Sequence, residues 1–171
     1  MISPCPTAFS YLNVDLSPVI DEIYQELDHA ILNGLFYTSS TRQCRSDISE
    51  QLKSKLSELF KFDINDAGFH RNLPGWVYHY HKDFVRKVSI NTLLVDPNPE
   101  FRTMFRIAGN EIQVDFKRNV PVLLNVKELH KVNNYSTIDT RYTLTFGSND
   151  IDYNQLRDRY TTDYKFISDN E

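Results

Sequence analysis

The stretch GWVYHYHKDFVRKVSINTLLV, residues 75–95, decides the fold class, because from here the sequence takes on the pattern of short β-strands. The short runs that begin here are rich in Val, Ile, Thr, Tyr and Phe, and the turn-forming residues 97–99 follow the stretch closely. Six such runs are predicted to be strands: 76–81, 86–95, 102–107, 112–116, 121–126 and 141–146. Because no helical pattern separates them, the sequence predicts a mainly β sandwich, barrel or jelly roll with N-terminal helices packed outside.

Two amphipathic helices are predicted before this stretch. The first has Ser17 as its capping residue, a proline in its first turn and Gly34 at its C-terminal end. The second covers residues 47–60, with Asp47 as the capping residue and Glu50 three positions later as its capping-box partner. Apolar residues recur at helical spacing in both segments.

The length of 171 residues is typical of a single domain. We therefore expect one domain over residues 1–171, with helical support at about 15–62 and a β-core at about 74–147. The polar segment 150–171 is expected to form a short helix followed by a frayed tail.

The net charge of -4 and the absence of a dense basic run argue against nucleic acid as a direct partner. No segment has the length of apolar sequence that spans a bilayer, and the first residues lack the pattern of a signal peptide. These features predict a soluble, cytoplasmic protein without a membrane partner. Cys5 and Cys44 are too few for a disulfide framework, and both are read as free thiols.

His81 and Asp83 form the most informative motif in the chain. Residues two apart on an extended segment project from the same face, so both side chains can reach one ion. Two imidazoles and one carboxylate on one face of a metal leave its other positions open, as a non-haem Fe(II) centre requires. His79 lies on the same face as His81, and Asp83 favours His81 as the ligand. His29, in the first helix, and His70, in a loop, are read as ordinary surface or core residues.

The second part of the pattern lies far downstream. His130 follows the apolar strand 121–126, and Arg141 starts the next predicted strand. Taken with HKDFVRKVSIN at 81–91, LHKVNN at 129–134 and RYTL at 141–144, this order resembles the 2-oxoglutarate and Fe(II)-dependent oxygenases, and among them small, prolyl-4-hydroxylase-like members. The resemblance covers about residues 74–147 and implies a double-stranded β-helix (jelly-roll) core.

The resemblance implies a role for each matched residue. His81, Asp83 and His130 would be the iron ligands and the catalytic centre, and Arg141 would pair with the distal carboxylate of 2-oxoglutarate. A guanidinium suits this role because its planar fork donates two parallel hydrogen bonds and keeps its charge. Thr143 matches the second hydrogen-bonding position of the family's Arg-x-Ser arrangement.

The remaining polar residues near the motif leave alternatives open. Tyr78, His79 and Asn91 either contact the co-substrate or pack inside the barrel. Arg86 and Lys87 are expected to make structural or rim contacts. Trp76 either closes one end of the core or faces the substrate.

One position departs from the family pattern. Lys131 follows His130 directly, and the site requires its ammonium group to point to the opposite strand face.

The implied activity is that of a dioxygenase that hydroxylates a peptidyl side chain or a small molecule and releases succinate and CO2. One alternative is a non-catalytic jelly-roll binding or assembly module, in which Arg141 would lie on the surface. Another is a cupin-like metal protein without oxygenase activity. The sequence leaves the primary substrate and the oligomeric state open.

Overall fold

The computed structural model of the chain describes residues 7–38 and 44–161. Within them lie ten strands and three helices. In chain order the elements are β1 (Phe9–Tyr11), α1 (Ile20–Leu32), β2 (Tyr37–Thr38), β3 (Cys44–Asp47), α2 (Glu50–Phe60), β4 (Asp66–Asn72), β5 (Val88–Leu93), β6 (Phe101–Ile107), β7 (Asn110–Val114), β8 (Pro121–Leu124), β9 (His130–Asn134), β10 (Arg141–Ser148) and α3 (Tyr153–Thr161).

The strands form two antiparallel sheets. The main sheet has the order β1-β8-β5-β10-β4-β3-β2, and the small sheet has the order β7-β6-β9. Single bridges from Val77 to Asn133 and from His81 to His130 attach the segment before β5 to the free edge of β9. Two facing antiparallel sheets with helices on one side confirm the predicted mainly β, jelly-roll fold class.

Strand alternation gives the main sheet one apolar and one polar face. Leu144 and Phe146 of β10 belong to the core formed with the helices, and the Phe146 ring lies 4.9 Å from that of Phe60 in α2. Thr143 and Thr145 project from the opposite face, into the space between the sheets. The helices therefore pack behind the main sheet and leave its polar face for a site.

Both N-terminal helices begin later than the sequence predicted. The Ser17 hydroxyl donates to Asp15 Oδ2 at 2.6 Å and its backbone N–H to Oδ1 at 2.9 Å, which holds residues 15–17 in a local turn; α1 starts at Ile20, and no side chain caps it. In α2 the capping residue is Ser49, whose hydroxyl accepts from the Leu52 N–H at 3.1 Å. The predicted caps at Ser17 and Asp47 are therefore wrong.

The second predicted cap fails because its residue belongs to a strand. Asp47 ends β3, where it pairs with Gly68 and receives a hydrogen bond from Arg45 at 2.6 Å. A carboxylate held by its own strand is not available to cap the next helix.

Several strands were not predicted. β4 (Asp66–Asn72) contains few β-branched or aromatic residues, yet it forms because β3 and β10 pair with it on both sides. β9 contains Asn133 and Asn134, which look like turn residues in the sequence and are fully buried in the structure. Residues 76–81 are the opposite case. The sequence predicts a strand here, whereas these residues form isolated bridges and no regular strand.

The remaining expectations concern the thiols and the chain end. Cys44 is a free thiol, whereas Cys5 and residues 162–171 lie outside the described part of the chain. The expected short C-terminal helix is α3. Among the described residues, every helix is too short or too polar to cross a lipid bilayer.

Candidate metal centre and its cavity

His81, Asp83 and His130 meet at the edge where residues 76–83 run beside β9. The backbone N–H groups of His81 and His130 donate to each other's carbonyls at 2.8 and 2.9 Å, which places the two rings 4.3 Å apart between centroids. The Asp83 N–H donates to the Val126 carbonyl at 2.9 Å. Asp83 Oδ1 then lies 3.7 Å from His81 Nε2 and 3.9 Å from His130 Nε2. The three ligand atoms lie within 4.8 Å of one another, so one ion can bind all three.

Backbone carbonyls orient both imidazoles for metal binding. His81 Nδ1 lies 3.0 Å from the His79 carbonyl, and His130 Nδ1 lies 3.0 Å from the Glu128 carbonyl. Because a carbonyl can only accept, each Nδ1 carries a hydrogen, and the neutral tautomer with this arrangement has its lone pair on Nε2. Burial lowers the pKa of His130, which favours this neutral form.

The carboxylate of Asp83 is oriented as well. Arg86 donates to its Oδ2 from Nε at 3.0 Å, and Nη2 forms an ion pair with the same oxygen at 2.9 Å. This leaves Oδ1 facing the two histidines. Two imidazole nitrogens and one carboxylate oxygen are the donor set of the facial triad that binds non-haem Fe(II), so these residues fit the metal implied by the sequence.

A cavity between the sheets opens onto the triad. Both polar and apolar side chains line it. The lining includes the polar residues His70, Asn72, Asn91, Thr143 and Thr145 and the apolar or aromatic residues Trp76, Tyr78, Leu124, Val126 and Val132. A metal bound by the triad would therefore face a space with both hydrogen-bonding groups and apolar surface.

Of the candidate site residues predicted from the sequence, some line this cavity and others do not. Thr143 and Asn91 are buried and line it, and the Tyr78 ring contacts that of His81 edge-to-face at 4.7 Å between centroids. The His79 side chain is exposed, and its contribution is the backbone carbonyl that orients His81. Trp76 also lines the cavity.

The ammonium group of Lys131 lies on the strand face opposite the site, as the sequence analysis requires. Its Nζ lies 4.4 Å from the centre of the Tyr80 ring and 3.8 Å from Glu111, on the outer face of the small sheet. The ammonium group next to His130 in sequence therefore points away from the site.

Arg141 is buried, with 1% of its surface exposed. Its Nη2 donates to the Thr103 hydroxyl at 3.0 Å, and its guanidinium carbon lies 5.2 Å from the centre of the Phe116 ring. Its Nε and Nη1 have no hydrogen-bond partner among the described residues. Burial lowers the pKa of Arg141 to about 10, so the group is charged at neutral pH.

The position of Arg141 differs in one respect from the expectation. Its side chain lines a second cavity, beside Phe101 and Phe116, and not the cavity that contains the triad. Thr143 lies next to both cavities. It follows Arg141 by two residues on the same strand face, and its own side chain lines the triad cavity.

His70 is a site residue that the sequence did not indicate. It lies in β4 and not in a loop, pairs with Thr143 across the main sheet and lines the triad cavity. Recognising β4 as a strand would have placed His70 on the cavity face. Burial, helped by the positive charges of Arg86 and Arg45, lowers its pKa to about 3. The ring is therefore neutral at physiological pH.

The lowered pKa of His70 predicts a specific acid sensitivity. Between about pH 6.5 and pH 3 the unfolded chain binds a proton at this residue that the folded chain does not. The free energy of unfolding should therefore fall as the pH is lowered through this window, by at most about 1.4 kcal/mol per pH unit from this group. Urea unfolding of His70→Gln at several pH values should show a shallower fall than the wild type. His29→Gln, on the exposed face of α1, is the matched control, and parallel curves for His70→Gln and wild type would contradict the assignment.

Comparisons with known proteins address the fold. No protein-family model and no curated protein matches the chain in sequence. A prolyl-4-hydroxylase from Pseudomonas putida matches in structure with a TM-score of 0.61 and 16% identity, over 84% of this chain and 93% of that one. A prolyl hydroxylase from Trichoplax adhaerens, in complex with a hypoxia-inducible-factor peptide, gives 0.64 and 15%, over 90% and 87%. HygX from Streptomyces hygroscopicus, with nickel and 2-oxoglutarate bound, gives 0.59 and 11%, over 86% and 85%. The chain thus has the fold of the small prolyl-4-hydroxylase-like oxygenases that its sequence resembles.

Proposed function

We propose that this chain is a 2-oxoglutarate- and Fe(II)-dependent dioxygenase that hydroxylates its substrate and releases succinate and CO2. The observation that carries the proposal is the convergence of His81 Nε2, His130 Nε2 and Asp83 Oδ1, with both rings held in the metal-binding tautomer. The shared fold supports it, since HygX has been solved with a divalent metal and 2-oxoglutarate bound.

In this proposal His81, Asp83 and His130 hold Fe(II) and form the catalytic centre. The bound metal supplies the oxidative decarboxylation of 2-oxoglutarate by O2 and the transfer of one oxygen atom to a substrate C–H bond. The protein orients the reactants and limits water around them. Val126 and Val132 contribute apolar surface to the cavity for this purpose.

Arg141 is proposed to bind the distal carboxylate of 2-oxoglutarate. Its Nε and Nη1 are buried donors without a partner among the described residues, and leaving such donors unpaired is costly. Nε and Nη1 lie on opposite edges of the guanidinium, so a carboxylate would pair with one of them together with an N–H of the neighbouring Nη2, and would neutralise the buried charge. Thr143 is proposed to add a hydrogen bond to the same co-substrate, with Tyr78 and Asn91 contacting it from the cavity wall.

The burial of Arg141 argues against the two alternative functions. A non-catalytic binding module would be expected to carry Arg141 on its surface, whereas the residue is buried. A cupin-like metal protein without oxygenase activity offers no role for a buried cation two of whose donor groups, Nε and Nη1, lack a partner among the described residues. An anionic co-substrate gives those donors a partner.

We propose either a peptidyl side chain or a small molecule as the substrate. Structural neighbours of both kinds exist, since the Trichoplax enzyme was solved with a peptide and HygX with hygromycin B. A single domain over residues 1–171, a cytoplasmic location and the absence of nucleic-acid and membrane partners also stay predictions from the sequence.

Succinate formation tests the proposed activity. The purified chain, supplied with Fe(II), 2-oxoglutarate and O2, should release succinate slowly even without its primary substrate. Omission of Fe(II) should stop the release, because the triad then has no metal to present to the co-substrate. Succinate formation that is independent of added Fe(II) in metal-free protein, or its absence with all three reactants, would contradict the proposal.

A further inference from the structure

The side chain of Arg86 contacts one of the proposed iron ligands. Its Nε donates to Oδ2 of Asp83 at 3.0 Å, its Nη2 forms an ion pair with the same oxygen at 2.9 Å, and its Nη1 lies 3.6 Å from Oδ2 of Asp66 in β4. The side chains of Arg86 and Asp83 are each 15% exposed. The guanidinium thus connects a carboxylate of the triad with a carboxylate of the main sheet.

The main sheet leaves room for this side chain. At Gly147 of β10, a Cβ atom would lie 2.7 Å from Cδ of Arg86 and 2.2 Å from the Val88 carbonyl oxygen. Gly147 pairs with Asp66, the residue that the far end of the guanidinium approaches. The stem of Arg86 therefore lies against the glycine, with its two carboxylate partners on either side.

The chain beyond Asp83 provides little other support for its side chain. Phe84 and Val85 are 97% and 73% exposed, so neither packs into the core. Lys127 Nζ donates to the carbonyls of Asp83 and Phe84 at 2.9 and 2.8 Å, but these bonds hold the backbone only. Rotation of the carboxylate is therefore restrained mainly by Arg86.

This restraint has a defined chemical consequence. Because Oδ2 is held by the hydrogen bond and the ion pair with Arg86, Oδ1 is the oxygen presented to the two imidazoles. Groups that orient a ligand in this way commonly change metal affinity by about 10- to 100-fold when they are removed.

We propose that Arg86 is a positioning residue for the metal centre, which holds Asp83 so that only Oδ1 is offered to the ion. This inference rests on the proposed function, because it requires that the triad binds a metal. It assigns to Arg86 a part in metal binding beyond the structural or rim contact that its sequence position suggested. Arg86 touches neither the ion nor the co-substrate in this role.

The inference is tested by metal affinity in the absence of 2-oxoglutarate and O2. Calorimetric titration with Co(II), used as an oxygen-stable probe of the Fe(II) site, should give roughly 10- to 100-fold weaker binding for Arg86→Gln than for wild type. Arg86→Lys should recover part of the loss, because lysine keeps the charge but lacks the planar fork. Lys87→Gln, the exposed neighbour, should bind as wild type does.

The outcomes separate this inference from the proposed function. If wild type binds no Co(II), both are overturned. If wild type binds and Arg86→Gln binds equally well, only the role of Arg86 is overturned. Thermal unfolding of both Arg86 variants shows whether they are folded, and the visible Co(II) spectrum should change in Arg86→Gln because a freely rotating carboxylate alters the coordination. A loss of affinity in Arg86→Gln with no recovery in Arg86→Lys and an unchanged spectrum would also contradict the inference.

Discussion

Replacement of Arg141 by methionine is expected to weaken 2-oxoglutarate binding by at least about 100-fold while Fe(II) binding stays near the wild-type level. One edge of the planar guanidinium offers a carboxylate two parallel hydrogen bonds, and hydrogen bonds to a charged partner contribute roughly 1.5–3 kcal/mol each. Losing both corresponds to a factor of about 100 or more, at about 1.4 kcal/mol per factor of ten. Methionine fills similar space, and among the described residues the change removes one side-chain hydrogen bond, to Thr103.

Anaerobic titration of the Fe(II)-loaded protein with 2-oxoglutarate measures this effect. Arg141→Lys should bind with intermediate affinity, because it keeps the charge with a single donor centre. Arg102→Met is a suitable control, since this arginine lies on the exposed side of β6. Equal 2-oxoglutarate affinity in wild type and Arg141→Met would remove Arg141 from the co-substrate site.

His81→Ala and Asp83→Ala should each abolish Fe(II)-dependent turnover of 2-oxoglutarate and leave the fold intact. Each change removes one of three protein ligands, so the remaining two no longer define one face of the metal. Both side chains are partly exposed, at 26% and 15%, so their loss leaves no large hole in the core. His130 is less suitable for this test because it is buried.

The control for these variants is His79→Ala. His79 lies two residues before His81, its side chain is exposed, and its carbonyl, which orients His81, is kept in the variant. Succinate release should therefore continue in His79→Ala and stop in the other two. Retained turnover in His81→Ala or Asp83→Ala would exclude that residue from the ligand set, and loss of turnover in His79→Ala would favour His79 as a ligand.

The residues close together in sequence were the easiest to place. Period-two spacing placed His81 and Asp83 on one face, and the position of Arg141 at the start of β10 followed from the apolar pattern. Spacing in the sequence does not predict the register in which distant segments pair. The pairing of His81 with His130 depends on hydrogen bonds between the two backbones, which their side chains do not specify.

The residues that sequence reasoning placed wrongly or left out depend on tertiary contacts. His70 was assigned to a loop because β4 has weak strand propensity and is formed by its neighbours on both sides. Arg86 and Asp83 are only three residues apart, but the approach of Arg86 to Asp66 depends on the position of β4, so no local pattern indicates that one guanidinium connects the two carboxylates. The prediction that Ser17 caps α1 was wrong for a local reason. The carboxylate of Asp15 accepts hydrogen bonds from the Ser17 hydroxyl and N–H, which holds this segment in a turn before the helix.

The central claim is that His81, Asp83 and His130 bind one Fe(II) ion that also accepts 2-oxoglutarate. Anaerobic addition of Fe(II) and then 2-oxoglutarate to the wild-type chain tests it most directly, because chelation of Fe(II) by the keto acid produces a weak visible charge-transfer band. We expect the band to appear and to saturate at one equivalent of Fe(II) per chain. Absence of the band at saturating concentrations of both would contradict the claim.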